Sequence, residues 1–274
     1  MNRDDFAFLA RLIKERSGLV VTMEKSYLLE SRLLPVAARH GHASIAAMAA
    51  ALRRGHHAAL MRDMIEAMTT NESFFFRDIK PFEQFRGIVL PELLRARAAT
   101  RRLRIWSAAC AAGQEPYSLA MILADEAERL ASWQVTLLAS DISREVVARA
   151  EAASYSQFEV GRGLPLKYLV RCFDPEGERW QLKPELRRMV QFRVVNLLDD
   201  LGPLGRFDAI FCRNVLIYFD APTKAAILER LAAMLPPDGF LSLGGAETTI
   251  GVSDRFEAVA EQRGLYRPAM RVSA

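Results

Sequence analysis

Most of this 274-residue chain contains no histidine, and cysteine is scarce throughout it. All four histidines fall within residues 1–70, which leaves residues 71–274 with none. Ser-His-Asp and Cys-His catalysis in that larger part is therefore excluded unless the amino-terminal part reaches into it. The three cysteines show no CxxC spacing. We interpret them as reduced core thiols and expect neither a disulfide nor a zinc or other metal site.

Long apolar runs are also missing. No run approaches the roughly 20 residues that a transmembrane helix needs, and the first six residues lack the basic and then apolar arrangement of a secretion signal. We therefore expect a cytoplasmic protein without membrane insertion. With 51% hydrophobic and 26% charged residues, the chain can bury a full α/β core and retain residues for one small additional domain.

Glycine-rich phosphate-binding motifs are a further absence. After the first predicted strand there is one glycine, Gly113, where a dinucleotide site would show G-x-G-x-x-G and an ATP site a P-loop. Because both motifs let backbone amides close on phosphates, their absence argues against NAD, FAD and ATP. A single glycine still suffices for the close approach of a nucleoside that carries no phosphates.

The first 70 residues are predicted to form four helices, because apolar residues recur there at a spacing of three to four. This part has ten Lys/Arg against seven Asp/Glu, which is +3 of the total net charge of +4. Arg32 and Arg39 lie two turns apart, so they make one face of the second helix basic. That face could meet an acidic partner, or it could simply be a solvated helix face.

Strand and helix patterns alternate from residue 103 onward. The predicted strands are residues 103–109, 134–139, 190–195, 207–212 and 239–243, and the helices between them include residues 115–129, 143–153 and 222–235. This alternation predicts an α/β fold with a doubly wound parallel sheet and a ligand at the carboxyl ends of its strands. Between residues 164 and 188 the pattern changes. A turn at 174–177, with apolar segments at 179–182 and 189–192, suggests a short antiparallel excursion before the third main strand.

Polar side chains follow the predicted strands. The fourth strand ends in Arg213 and Asn214 and is followed by Tyr218. Asp141, at the end of the second strand, can accept hydrogen bonds from both hydroxyls of a ribose, although an N-cap role for the next helix is the alternative. Glu115 could bind a cationic amino group. With Asn196 and Leu197 available to flank an adenine, this set predicts S-adenosylmethionine as the cofactor.

Five segments then form a series along the chain: Asn71-Glu-Ser-Phe-Phe-Phe-Arg77, Gly113-Gln-Glu-Pro-Tyr-Ser118, Ala139-Ser-Asp-Ile-Ser143, Val195-Asn-Leu-Leu198 and Phe211-Cys-Arg-Asn-Val-Leu-Ile-Tyr-Phe-Asp220. In this order they resemble the motifs of CheR-type chemotaxis receptor glutamate methyltransferases. That family transfers a methyl group from S-adenosylmethionine to glutamate side chains on chemoreceptor helices. The resemblance implies a helical substrate-recognition domain, residues 1–72, and a Rossmann-like catalytic domain, residues 73–274, with a β insertion near 172–192.

The resemblance also implies roles for individual residues. By motif position, the cofactor would be contacted by Asn71, Ser73, Arg77, Glu115, Asp141, Asn196, Leu197, Arg213 and Asn214. Arg77 and Tyr218 would lie nearest the transferred methyl group and act in catalysis. We expect the acidic receptor helix to be bound by Arg32, Arg39, Arg53 and Arg54. We also expect a monomer that binds no nucleic acid.

Two departures from the family pattern are visible. Ser73 stands where threonine is usual, and it keeps the hydroxyl group. Residues 244–248, Gly-Gly-Ala-Glu-Thr, stand where Gly-His-Ser-Glu is common, so any role of that histidine is absent here. The lack of histidine fits the chemistry, because a glutamate side chain in water has a pKa of about 4.3 and is already a nucleophile at neutral pH without a general base.

Two other functions stay open. A methyltransferase acting on nucleic acid would explain the pI of about 9.1 and the basic cluster at 53–57. However, methylation of base amino groups usually places an Asn/Asp-Pro-Pro-Tyr type turn after the fourth strand, and Asn214 to Tyr218 contains no proline. A non-catalytic sensor of S-adenosylmethionine is the second alternative, against which the presence of both Arg77 and Tyr218 argues.

Overall fold

Helices make up the amino-terminal part of the chain. In the computed structural model, which describes residues 1–55 and 57–269, they are α1 (Arg3–Ser17), α2 (Ser26–Arg39), α3 (Ile45–Arg54) and α4 (Ala58–Met68), with a 3-10 turn at Met23–Lys25. Asn2 and Ser44 accept hydrogen bonds from the first turns of α1 and α3, and Gly18 ends α1 in the left-handed conformation. The predicted four-helix unit is confirmed.

The apolar stripes of these four helices share one core. Leu9 and Ile13 of α1, Leu29 and Leu33 of α2, and Met48 of α3 have no exposed surface, and they pack together in a cluster separate from those of the sheet. The three-to-four spacing of these residues placed them on one face of each helix. None of the helices in the described part of the chain has both the length and the apolar character that crossing a bilayer requires.

The remaining elements alternate as the sequence indicates. The strands are β1 (Arg102–Ala108), β2 (Gln134–Asp141), β3 (Ser154–Ser156), β4 (Phe173–Glu176), β5 (Arg179–Leu182), β6 (Val190–Val194), β7 (Ala209–Cys212), β8 (Phe240–Leu243), β9 (Phe256–Ala258) and β10 (Leu265–Pro268). The helices are α5 (Lys80–Gln84), α6 (Leu90–Ala96), α7 (Gln114–Asp125), α8 (Ala127–Leu130), α9 (Arg144–Ala152), α10 (Gln157–Gly161), α11 (Leu166–Cys172), α12 (Pro184–Arg187) and α13 (Ala221–Met234). A π-helical turn (Phe85–Val89) joins α5 to α6, and 3-10 turns lie at Gly202–Leu204 and Leu216–Tyr218.

Seven strands form the main sheet, in the order β6-β2-β1-β7-β8-β10-β9. The first five of these are parallel, and β10 runs antiparallel to both β8 and β9. From β1 the chain builds outward to β2 and β6, and then returns to β7 on the other side of β1. The predicted doubly wound sheet is confirmed, and its topological switch point lies beside β1.

Side chains alternate between the two faces of this sheet, and each face has its own core cluster. Ile105 and Phe211 pack on one face with α5, α6 and α7, while Trp106 and Ile210 pack on the other with α13. The register of the strands aligns their carboxyl ends, because Ala108 of β1 lies opposite both Ser140 of β2 and Cys212 of β7. The residues that follow these three strands therefore meet at one edge of the sheet.

The short antiparallel sheet is present, but its strands differ from the prediction. Its order is β3-β5-β4, so residues 179–182 pair with Ser154–Ser156 and Phe173–Glu176. Residues 190–192 instead belong to β6 of the main sheet. The sequence pattern missed β3 and β4 because they have only three and four residues and contain serine, aspartate and proline, which are poor strand formers. Gly177, at φ +59°, makes the turn between β4 and β5.

Candidate functional site

A cavity lies at the carboxyl ends of the parallel strands. All ten residues that were predicted to bind the cofactor or act in catalysis line it, and these are Asn71, Ser73, Arg77, Glu115, Asp141, Asn196, Leu197, Arg213, Asn214 and Tyr218. They come from five separate segments of the chain.

The helical part of the chain contributes to the wall of the same cavity. Ser17 and Leu19 lie at the end of α1, and Thr69 and Thr70 follow α4. The sequence reasoning did not include these four residues, because nothing in their local pattern distinguishes a cavity wall from an ordinary helix connection. A ligand in this cavity would therefore meet residues from both parts of the chain.

The loop between β1 and α7 forms one side of the cavity. Ala109 and Ala111 line it with positive φ angles of 57° and 48°. Gly113 has a φ of +89°, and an added Cβ there would lie 2.9 Å from Cβ of Ala150 and 3.1 Å from the ring of Tyr117. Glycine is thus required here by the backbone and by packing against α9 and α7, which is a different reason from the predicted approach of a nucleoside.

Asp141 joins two loops at the floor of the cavity. Its Oδ2 accepts a hydrogen bond from the Ala111 N–H at 2.9 Å and its Oδ1 accepts one from the Ser143 N–H at 3.1 Å. Burial raises the pKa of this carboxyl, while the N–H groups of Ser143, Ala111 and Ile142 lower it. The N-cap of α9 is Ser143, so the capping alternative for Asp141 does not hold. Each carboxylate oxygen keeps a further lone pair for a donor in the cavity.

Glu115 and Arg213 form a buried ion pair next to Asp141. Arg213 donates from Nη1 to Oε2 of Glu115 at 2.8 Å, and Ser107 Oγ donates to Oε1 of the same carboxylate at 2.8 Å. The Nη2 of Arg213 donates to Oδ2 of Asp78 and to the Arg77 carbonyl, both at 2.8 Å. Arg213 therefore fastens the segment that carries Arg77 to the end of the sheet.

The segment that Arg213 holds has an unusual backbone. Phe76, Asp78 and Ile79 have φ angles of +51°, +69° and +51°. Such conformations are costly for residues with side chains, and they persist where the surroundings fix them. The Phe76 N–H donates to Ser118 Oγ at 2.9 Å, which supplies a second anchor. Arg77 leaves this turn toward the cavity, where its Nη1 donates to the Glu72 carbonyl at 2.8 Å.

Asn196 and Tyr218 connect the opposite wall of the cavity to the helical part. The Nδ2 of Asn196 donates to the Arg16 carbonyl at 2.7 Å, and its Oδ1 accepts from the Leu198 N–H at 3.0 Å. The carbonyl of Tyr218 accepts from the Val20 N–H at 3.0 Å. Within residues 1–55 and 57–269, the hydroxyl of Tyr218 has no hydrogen-bond partner from the chain, so it is available to a ligand.

The four arginines that were predicted to bind a receptor lie outside this cavity. Arg32 donates from Nη1 to the carbonyls of Met68 and Thr69, both at 2.9 Å, and from Nη2 to Thr70 Oγ1 at 3.4 Å. Its guanidinium thus binds the segment that enters the cavity wall. Arg39 stays largely exposed, with 63% of its side chain accessible, and its Nη1 lies 3.7 Å from Asp63 Oδ2.

Arg53 and Arg54 both line a surface groove between α1, α3 and α4. Arg53 donates from Nη1 to Oδ1 of Asp5 at 2.6 Å, and its guanidinium lies 4.5 Å from the centroid of the Phe8 ring. Arg54 is exposed. The groove reaches Asn196, which also lines the cavity, so the two features meet there.

Comparison with known proteins agrees with this geometry. Residues 4–69 match the family model described as "CheR methyltransferase, all-alpha domain", and residues 71–265 match the one described as "CheR methyltransferase, SAM binding domain". The two matches fall on the helical part and on the sheet part that together surround the cavity.

Curated relatives that align over nearly their whole length are chemotaxis protein methyltransferases. Chemotaxis protein methyltransferase 1 of Pseudomonas aeruginosa is 41% identical over 269 residues, which cover 96% of this chain and 97% of that protein. Chemotaxis protein methyltransferase Cher2 of Pseudomonas putida is 38% identical, covering 97% of this chain and 98% of its own length. Chemotaxis protein methyltransferase 1 of Vibrio cholerae is 36% identical, covering 95% of both.

The expected cofactor and fold are confirmed by the match to an S-adenosylmethionine-binding domain on the sheet that carries the cavity. Two buried carboxylates facing a cavity that has no phosphate-binding loop had already indicated this class of ligand. The chain belongs to the CheR methyltransferase family, and it is an S-adenosylmethionine-dependent methyltransferase of chemotaxis.

Proposed function

We propose that this enzyme methylates glutamate side chains on the cytoplasmic helices of chemoreceptors. The observation that carries the proposal is the arrangement of Arg77 and Tyr218, which line one cavity although they stand far apart in the chain. No histidine is present in residues 71–274 to act as a base. A carboxylate acceptor suits such a site, because it needs alignment and no deprotonation at neutral pH.

The residues of the cavity fit S-adenosylmethionine. Asp141 is buried and lines the cavity, and each of its carboxylate oxygens can accept one more hydrogen bond, so the two ribose hydroxyls would be suitable donors. Glu115 would accept from the cationic amino group, with Asn196 and Leu197 beside the adenine. We propose the remaining predicted contacts, Asn71, Ser73, Arg77, Arg213 and Asn214, in the same cavity. When bound, the cofactor supplies an electrophilic methyl group on a sulfonium sulfur.

The chain's own contribution to the reaction is to orient the acceptor. Arg77 uses one Nη1 hydrogen for the Glu72 carbonyl, and the other donors of its planar guanidinium can hold a carboxylate. The Tyr218 hydroxyl can donate to the second carboxylate oxygen or orient the methyl donor. Holding reactants in line can contribute up to about 7–11 kcal/mol to lowering a barrier.

Receptor recognition is proposed on the helical domain. Arg39 presents an exposed charge on α2, and Arg54 lies at the groove that meets the cavity near Asn196. The groove is lined by apolar side chains such as Leu12 and Met61 and by more basic than acidic residues. The basic ones include Arg11, Arg16, Arg53, Arg54 and Arg62, and the acidic ones are Glu15, Glu66 and Asp199. An acidic amphipathic helix would complement a groove that has apolar side chains and an excess of positive charge. Arg32 stays in the proposed set, although its hydrogen bonds also give it a role in holding the linker.

One experiment separates this proposal from its alternatives. The purified enzyme is given cofactor with a radiolabelled methyl group, together with receptor-rich membranes in one reaction and RNA in another. We expect label on the receptor that is released as methanol by mild base, since carboxyl methyl esters are base-labile. Base-stable label on RNA would favour a nucleic-acid methyltransferase. Cofactor binding without transfer to either would favour a sensor.

A further inference from the structure

The carboxylate of Glu247 accepts four backbone hydrogen bonds. Oε2 accepts from the N–H groups of Asn214 and Gly244, both at 2.7 Å, and Oε1 accepts from those of Val215 at 2.9 Å and Leu216 at 2.7 Å. The residue is 8% exposed. Within residues 1–55 and 57–269 no basic side chain lies within 4.0 Å of this carboxylate, so the four N–H dipoles are what compensate its charge.

These hydrogen bonds join the loops that follow β7 and β8. The last paired residues of β7 and β8 are Cys212 and Leu243, so Asn214 and Gly244 lie beyond the strand ladder. Asn214 has a φ of +58°. An added Cβ on Gly244 would lie 2.7 Å from Glu247 Oε2 and 2.8 Å from Asn214 Nδ2, so only glycine allows this close approach. The Glu247 carboxylate therefore connects the two loops at a point where the backbone pairing of β7 and β8 has ended.

The loop held in this way carries the proposed catalytic side chain. Leu216, whose N–H binds Glu247, begins the 3-10 turn that ends at Tyr218. Asn214, Val215 and Tyr218 all line the cavity, whereas Glu247 does not. We infer that Glu247 is a positioning residue that aims Tyr218 at the reacting carboxylate. This inference rests on the proposed function, because the role of Tyr218 in methyl transfer is part of that proposal.

The variant Glu247→Gln tests the inference with little change of shape. One carboxylate oxygen becomes an NH2 group that faces two backbone donors, so the two hydrogen bonds that this oxygen accepted become repulsive contacts. We expect kcat for receptor methylation to fall about tenfold or more, because the loop that carries Tyr218 loses hydrogen bonds to a charged acceptor. Glu257→Gln is the matched control, because Glu257 is an exposed glutamate on β9. We expect that variant to keep the wild-type rate.

A double-mutant cycle distinguishes positioning from general stability. If Glu247 acts through the Tyr218 hydroxyl, Glu247→Gln costs less than about threefold in kcat in a Tyr218→Phe background. If the two changes multiply, the inference is overturned. Should Glu247→Gln fail to fold, Gly244→Ala takes its place in the cycle. It keeps the charge and pushes a methyl group against the carboxylate.

A second measurement does not depend on receptor methylation. Hydrogen exchange of the peptide that spans residues 213–218 reports directly on the N–H groups bound by Glu247. We expect exchange to become at least tenfold faster in Glu247→Gln and to stay unchanged in Glu257→Gln. Unchanged exchange in both would overturn the inference whether or not the receptor is the substrate. Faster exchange without any receptor methylation by the wild-type enzyme would instead contradict the proposed function.

Discussion

Arginine is used differently in the sheet part and in the helical part of this enzyme. Arg213 leaves 1% of its side chain exposed and binds two carboxylates and a carbonyl at the strand ends. Arg39 leaves 63% of its side chain exposed, and its nearest carboxylate oxygen lies at 3.7 Å. A buried guanidinium fixes the geometry of a site, whereas an exposed one is available to a partner. Arg32 lies in the helical part but is like Arg213 in one respect, because its guanidinium is held by hydrogen bonds within the chain.

The largest effect should come from replacing Asp141, which is buried and lines the cavity. We expect Asp141→Ala to weaken binding of S-adenosylmethionine about 100-fold or more, because two hydrogen bonds to a charged acceptor are lost, each worth about 1.5–3 kcal/mol. Titration calorimetry measures this directly. Asp254→Ala removes an exposed aspartate and serves as the control. Equal affinity in a folded Asp141→Ala variant would leave this residue only its bonds to Ala111 and Ser143.

The next largest effect concerns catalysis. Tyr218→Phe removes one hydroxyl and keeps the ring, so cofactor affinity should change little while kcat falls about tenfold or more. Steady-state kinetics at saturating receptor and cofactor give the rate. Tyr266→Phe is the control, since Tyr266 lies on β10, does not line the cavity, and donates from its hydroxyl to Thr248 Oγ1 at 3.5 Å. A wild-type rate in Tyr218→Phe would contradict the catalytic assignment.

A comparison of two arginines on one helix sharpens the contrast. Arg32→Gln should weaken cofactor binding about three- to tenfold, because the guanidinium that holds the Met68, Thr69 and Thr70 segment is lost. Arg39→Gln should leave that affinity unchanged and raise the receptor KM, most strongly at low salt. The two measurements are calorimetry without receptor and initial rates across ionic strength. Identical behaviour of both variants would remove the distinction between a fixed and an available arginine.

The smallest expected effect concerns the contact between the two parts of the molecule. Lys14 of α1 lies 2.6 Å from Asp220, and its hydrogen bond, with help from Thr223, lowers the pKa of that carboxyl to about 2. An unfolded aspartate titrates near 3.9. Since the folded pKa is the lower one, the stabilising contribution is full above about pH 4 and is lost as the pH falls toward 2.

Lys14→Gln tests this pH dependence. The difference in urea midpoint between wild type and variant should be largest near neutral pH and should shrink below about pH 4. Lys25→Gln, which removes an exposed lysine elsewhere in the helical part, controls for the loss of one positive charge. A difference that stays constant from pH 7 to pH 2.5 would show that the ion pair contributes nothing to stability.

The sheet and the position of its site follow from sequence because local pattern and global topology agree there. Buried strands that alternate with helices can form a parallel sheet in few ways, and every polar residue directly after such a strand then reaches the same edge. Asp141, Asn196 and Arg213 were predictable for that reason. In the helices, periodicity gave the face on which Arg32 lies, but it carries no information about which oxygen the end of a long side chain binds.

Glu247 shows where sequence reasoning ends, because the residue matches the glutamate of the family's Gly-His-Ser-Glu segment but its binding partners could not be predicted. Its partners are backbone N–H groups, and three of them lie 31 to 33 residues earlier in the chain. Backbone groups are present at nearly every position, so no residue type marks them. The boundary at residue 72 is a related case. It remains a prediction, since contacts across it depend on tertiary packing that no local pattern records.

The shared cavity wall has a consequence for how the enzyme can be divided. Ser17, Leu19, Thr69 and Thr70 precede the predicted boundary, yet they enclose the same space as Asp141 and Tyr218. A fragment that begins at residue 73 would keep its sheet and lose this part of the enclosure, together with Asn71. The cofactor affinity measured for such a fragment would be that of an incomplete cavity, open on one side. Fragments and fusions of this enzyme should therefore keep residues 1–72 attached, because part of the cavity wall is encoded there.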